Sequence, residues 1–157
     1  GCCFKVELPA GSREAVSNDI IESDSEISTS DVQSKNHKIL YIEDNHQNLV
    51  LVEKILEQRP HVTFLSALHP REGIELARAH QPDLILMDIN LPEMDGITAY
   101  KELQKFHETC EFPVIAVSAR AMEKDINKAL DSGFKDYLTK PIDIGNFFSK
   151  IDKFLTP

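Results

Sequence analysis

The chain has 157 residues, 41% of them hydrophobic, and a formal net charge of −9 at pH 7. That length supports one domain of ordinary size, and the negative charge argues against a nucleic-acid binder. No apolar run reaches the ~20 residues a membrane helix needs, so direct membrane contact is not expected.

The opening Gly1-Cys2-Cys3-Phe4 has neither the basic start nor the long apolar core of a secretory leader. Cys2, Cys3 and Cys110 show no framework spacing. They are expected as free thiols in a reducing, cytoplasmic setting. Phe4, Val6 and Leu8 alternate with Lys5 and Glu7 ahead of Pro9, the pattern of a half-buried strand. Such a strand needs a sheet to pair with. Residues 11–37 read as a linker, above all the acidic, Ser-rich stretch from Glu22 to His37. That stretch has too little apolar surface to offset the entropy of ordering.

From Lys38 onward, short apolar runs alternate with helical stripes. Strands are expected near 38–43, 61–66, 83–88, 112–117 and 134–138, and helices near 46–57, 70–80, 97–108, 121–132 and 143–155. Leu49, Val52, Ile55 and Leu56 form an apolar stripe in the first helix. Ile126, Ala129 and Leu130 do so in the fourth, which Gly133 ends, and Ile144, Phe147, Phe148, Ile151 and Phe154 in the fifth. All are expected in the core. The alternation predicts an α/β fold with a parallel sheet and right-handed crossovers.

The expected strand ends carry the chemistry. The first strand stops at Glu43-Asp44. The third, Leu84 to Met87, reads as buried on both faces and stops at Asp88. The fourth ends at Ser118-Ala119 and the fifth at Lys140-Pro141. Ligands of open α/β sheets bind outside these carboxyl ends. Three carboxylates brought together need a cation or a shared proton. An all-oxygen set suits a hard ion such as Mg²⁺. The plainer alternative is that the acids only cap the helices that follow.

Glu43-Asp44, Asp88, Pro92, Gly96, Ser118-Ala119, Tyr137 and Lys140-Pro141, in that order, resemble the receiver domain of two-component response regulators. The resemblance runs from about Lys38 to the end. The wording Ile42-Glu43-Asp44-Asn45 resembles receivers of hybrid sensor kinases, and Ser118 stands where Thr is commoner. The resemblance implies a doubly wound, flavodoxin-like sheet of five parallel strands in the order 2-1-3-4-5. It implies that Asp88 is the phosphorylated nucleophile, with Ser118 and Lys140 contacting the phosphoryl group. Asp44, Asp88, the Asn90 carbonyl and, through water, Glu43 would hold Mg²⁺. Ser118 and Tyr137 would form a conformational switch, and the Lys140–Pro141 peptide would be cis.

Residues 1–10 resemble the last strand of a histidine-kinase ATP-binding domain. That would make 38–157 the C-terminal receiver of a hybrid sensor kinase. The kinase's own nucleotide-binding and histidine motifs are absent, so no kinase activity is expected of this fragment. Implied partners are a histidine kinase core, in the same or another chain, and a histidine phosphotransfer protein. The face near Leu49 and Val50 would anchor a partner helix. Two other readings compete. A haloacid-dehalogenase-like aspartyl-phosphate phosphatase needs Asp-x-Asp after the first strand, whereas Glu43 and Asp44 are adjacent here. A non-phosphorylated flavodoxin-like docking module would not need the acidic set or Lys140.

Overall fold

The computed structural model describes residues 35–155. The expected kinase-derived strand at 1–10 lies outside the described residues, as does the linker up to residue 34. Five strands and five helices alternate: β1 His37–Ile42, α1 His46–Leu56, β2 Val62–Ala67, α2 Pro70–His80, β3 Leu84–Asp88, α3 Gly96–Gln104, β4 Val114–Ser118, α4 Glu123–Ser132, β5 Asp136–Thr139 and α5 Ile144–Leu155. The strands form one parallel sheet in the order β2-β1-β3-β4-β5. The expected fold class is thus observed. β1 opens one residue earlier than expected, at His37, whose N–H donates to the carbonyl of His61.

Alternate strand residues face opposite helical layers, as a period-two side-chain pattern requires. Leu40, Ile42, Ile85, Met87, Val114 and Ala116 pack with α2 and α3 on one face. Ile39, Tyr41, Leu84, Leu86, Ile115 and Val117 pack with α1 and α5 on the other. All five residues of β3 and of β4 are buried, which explains why both read as unbroken apolar runs.

Helical spacing overstated the core at two positions. Leu130 and Ile144 are exposed, at 41% and 48%. Spacing sets the angle at which a side chain leaves a helix, not whether a neighbouring element extends far enough to cover it. α3 also stops at Gln104, ahead of the expected 108. There the N–H groups of Lys105 and Phe106 bond three residues back, to Glu102 and Leu103. The buried Thr109 hydroxyl also donates to the Leu103 carbonyl, at 2.6 Å, and so adds a second donor at the helix end. Cys110, just beyond, is disulfide-bonded. This corrects the expectation of a free thiol there: an odd cysteine count excludes a full framework but not a single bond.

Register positions the strand ends. Ile42 pairs with Met87, so Glu43 comes next to Asp88. Asp88 pairs with Val117, which puts Ser118 one step beyond. Ser118 pairs with Thr139, which puts Lys140 one step beyond again. The loop after β3 is closed by the Gly96 N–H, which donates to the Ile89 carbonyl at 2.9 Å. A side chain at Gly96 would collide with the carbonyl of Asp88 and would lie 2.8 Å from Ile89 Cα. Both are backbone atoms and cannot turn aside. Asp95 caps α3, accepting from the Thr98 N–H at 2.8 Å.

β5 and α5 are tied by Asp136. Its Oδ1 accepts from Lys150 Nζ at 2.6 Å and from the Tyr137 N–H at 2.8 Å. Burial alone would raise its carboxyl, but these donors outweigh burial and hold it below the ordinary value of 3.8. A carboxyl depressed in the folded state stabilises above its unfolded value and loses that contribution as pH falls through the folded one. Asp136→Asn should therefore lower the unfolding free energy by about 1 kcal/mol at pH 7, allowing for solvent screening. In urea titrations the difference should be full well above the ordinary value of 3.8 and fade on acidification below it. A difference independent of pH would assign the cost to packing. Gly96→Ala should cost about 1–3 kcal/mol through backbone overpacking, read as a lower urea midpoint at unchanged slope.

Candidate functional site

Glu43, Asp44, Asp88 and Lys140 meet at the carboxyl edge of the sheet, and Ser118 ends the strand beside Asp88. Glu43 and Asp88 are 1% and 3% exposed, and Asp44, beside them, is exposed. One carboxylate oxygen from each of Glu43, Asp44 and Asp88 lies within 4.8 Å of the other two. Lys140 reaches over the end of β4 from β5. Its Nζ donates to Glu43 Oε2 at 2.5 Å and to Asp88 Oδ2 at 3.0 Å. The Lys140–Pro141 peptide is cis.

Backbone donors fix the two buried acids. The Asn90 N–H donates to Asp88 Oδ1 at 2.9 Å, and the Asn45 N–H donates to Glu43 Oε1 at 3.2 Å. Asn45 also caps α1 by accepting from the Gln47 N–H at 2.9 Å. It therefore starts the helix and holds the acid with two different groups. The Tyr41 hydroxyl donates to Glu43 Oε2 at 2.7 Å.

The four charged groups are unequal. Burial works against ionised Glu43, but hydrogen bonds from Lys140 and Tyr41 prevail and hold its carboxyl below the ordinary range. Burial raises Asp88, and the Glu43 charge adds to it against the Asn90 N–H and Lys140. Burial also raises Asp44, reinforced by neighbouring Glu43. Lys140 is raised: burial disfavours its charge, but its bonds to Glu43 and Asp88 win. Three carboxylates thus face one ammonium. This hard, oxygen-only and undercompensated set fits a divalent ion such as Mg²⁺.

Ser118 is 1% exposed at the end of β4. Its Oγ accepts from the Arg120 N–H at 3.1 Å and from Asn90 Nδ2 at 3.3 Å. The family resemblance implied a role for the Asn90 carbonyl. The structure shows its side chain joining the loop after β3 to the hydroxyl on β4. Tyr137, expected to turn inward on switching, is buried here, and its hydroxyl donates to the Arg120 carbonyl at 2.6 Å. A cavity of about 170 Å³ lies between the α3 and α4 ends, with Asn90, Ser118, Arg120 and Tyr137 among its lining.

Leu49 does not fit the expected partner-binding face: it is buried among Val52, Ile55 and Phe147, because the stripe that holds α1 on the sheet includes it. Val50 is half-buried, and Leu51 is 44% exposed. Sequence reasoning missed Tyr41, which read only as a core residue of a strand. The signal available was its position two residues before Glu43, on the same strand face.

The chain belongs to the response regulator receiver domain family, whose model matches residues 39–152. It is similar to the polar-differentiation response regulator DivK of Brucella anthropi, with 38% identity over 117 residues, covering 74% of this chain and 94% of that protein. The DivK of Brucella ovis matches to the same extent. Among solved structures, the receiver domain of a sensor histidine kinase from Pseudomonas aeruginosa, with magnesium coordinated in its active-site cleft, superposes with a TM-score of 0.70. Identity to it is 27%, over 78% of this chain and 99% of that one. A Francisella response regulator's receiver domain superposes equally well, at 28% identity over 76% of this chain and 97% of that one. The chain is a receiver domain of two-component systems, and receivers bind Mg²⁺ in this cleft and work with histidine kinases and phosphotransfer proteins.

Proposed function

We propose that this receiver takes a phosphoryl group from a phosphohistidine onto Asp88 and changes conformation in response. The observation that carries this is Asp88 itself: a buried carboxylate at the end of the central strand, with an ammonium at 3.0 Å and two further acids around it. An Asp88 oxygen attacks phosphorus, forming the new P–O bond. The P–N bond to the donor imidazole breaks, and its electron pair stays on the ring nitrogen.

Asp44 and Asp88, with the Asn90 carbonyl and Glu43 through water, would hold Mg²⁺. When bound, Mg²⁺ supplies positive charge to the acids and the phosphoryl oxygens. Lys140, already on Asp88, is placed to pair with an added phosphoryl oxygen. Ser118 accepts from two donors now and keeps its own hydrogen to donate to that group. These contacts belong to one state only, which is what shifts a two-state equilibrium. Tyr137, hydrogen-bonded to the Arg120 carbonyl beside Ser118, would respond to that shift.

The finer context is also proposed. Residues 1–10 match the pattern of a terminal kinase strand, and the Pseudomonas relative is the receiver of a sensor kinase. Both support a C-terminal receiver of a hybrid kinase, acting in the cytoplasm and passing its phosphoryl group to a histidine phosphotransfer protein. Among the described residues no helix is long and apolar enough to cross a membrane. The partner helix would lie over the loops at the pocket mouth and contact Val50 and Leu51 of α1.

Asp88→Asn should abolish phosphorylation by acetyl phosphate and Mg²⁺ while the fold survives, as followed by intact-protein mass and circular dichroism. Full labelling of that variant at another acid would sink the assignment. For the metal, Asp44→Ala should weaken Mg²⁺ binding more than Glu43→Ala, because Glu43 already has its oxygens engaged by Tyr41, Lys140 and Asn45. Calorimetric titration giving the reverse order would exchange their roles.

A further inference from the structure

Tyr41 lies at the centre of the sheet with 0% exposure, its ring packed in the α1 and α5 core. Phenylalanine would fill that volume. The hydroxyl reaches out of the core to Glu43 Oε2 at 2.7 Å. The same oxygen accepts from Lys140 Nζ, while Oε1 accepts from the Asn45 N–H at 3.2 Å. Glu43 is itself 1% exposed, so bulk solvent has little access to Oε2 to replace a lost donor, and a water shared with Mg²⁺ would lie on the side that faces the ion.

Lys140 is shared in this arrangement. It bonds Glu43 and Asp88 together, and a phosphoryl group on Asp88 would draw its ammonium toward the new oxygens. Glu43 Oε2 would then lose one of its two donors. Removing a partner from a buried charge costs far more than the bond is worth while made. The Tyr41 hydroxyl is carried by a strand in the centre of the sheet and does not move with Lys140.

We infer that Tyr41 is a positioning residue whose hydroxyl keeps Glu43 Oε2 hydrogen-bonded when Lys140 turns to a phosphoryl group on Asp88. The inference rests on the phosphoacceptor reading above. The hydroxyl contributes little to a difference between states while Lys140 stays on Glu43, and much once it leaves. Its effect therefore belongs to the phosphorylated state.

The test uses Tyr41→Phe in the full chain, with Mg²⁺ alone and then Mg²⁺ with beryllofluoride, which caps a carboxylate as a phosphoryl group does. Tyr41→Phe should stay folded and bind Mg²⁺ alone within about twofold of the parent, while its affinity for beryllofluoride falls about tenfold. In a Glu43→Gln background no charge can be stranded, and the same substitution should change beryllofluoride affinity by less than about twofold. Unchanged beryllofluoride binding in Tyr41→Phe would overturn the inference. So would an equal loss for Mg²⁺ alone, since the hydroxyl would then shape the resting site only. A tenfold loss persisting in the Glu43→Gln background would do the same. If the parent chain itself fails to take beryllofluoride, the phosphoacceptor reading fails, and this inference with it.

Discussion

Two carboxylates buried side by side cannot both stay ionised without compensation, and the ammonium of Lys140 supplies it. Glu43 and Asp88 are neighbours because β1 and β3 pair in parallel with Ile42 opposite Met87. Lys140 comes from β5, with β4 between it and Asp88. Its backbone is held at the right height by its own N–H, which donates to the Ser118 carbonyl at 2.9 Å. Strand order, register and charge balance are thus one constraint. A one-residue slip of β5 would turn the lysine to the opposite face of the sheet. The two acids would then face each other with only backbone and hydroxyl donors between them.

The site separates acids that the chain presents as near equivalents. Glu43 has donors on both oxygens and is held ionised, while burial and its neighbour's charge push Asp88 the other way. Environments that pull titratable groups apart are how one site assigns different roles to similar side chains. Glu43 becomes a fixed negative anchor, and Asp88 the acid with the most to gain from a new positive partner. Asp44 stays exposed at the rim of the cluster.

Much of this was legible in the sequence because burial on both faces leaves a plain mark. β3 and β4 are unbroken apolar runs, and each ends in a polar residue of the candidate site, Asp88 and Ser118. Register was not legible from the residues, since strand order came from family resemblance rather than from any pattern in the chain. Side-chain reach was not legible either. Asn90 reads as a loop residue, yet its amide crosses to Ser118, and Tyr41 reads as a packing residue, yet its hydroxyl leaves the core. Leu49 and Leu130 both sit on apolar stripes. One is buried against the sheet and the other is exposed, because coverage depends on where a neighbouring element stops.

The uneven attachment of the helices bears on where the fold can yield. α1 buries four residues against the sheet, Leu49, Val52, Ile55 and Leu56, whereas α4 fully buries Ala129 alone. α4 begins just past Ser118 and Arg120, and the Tyr137 hydroxyl grips the Arg120 carbonyl there. A phosphoryl group brings further negative charge and three acceptor oxygens into a pocket with a single ammonium. Besides Lys140 and the Asn90 N–H already on Asp88, the donor available on the neighbouring strand would be the Ser118 hydroxyl. Drawing it in would disturb the segment that leads into the least anchored helix. A shift at the α1 side would have to unpack the core that holds Tyr41, so a response to phosphorylation would run more easily toward β4, α4 and β5.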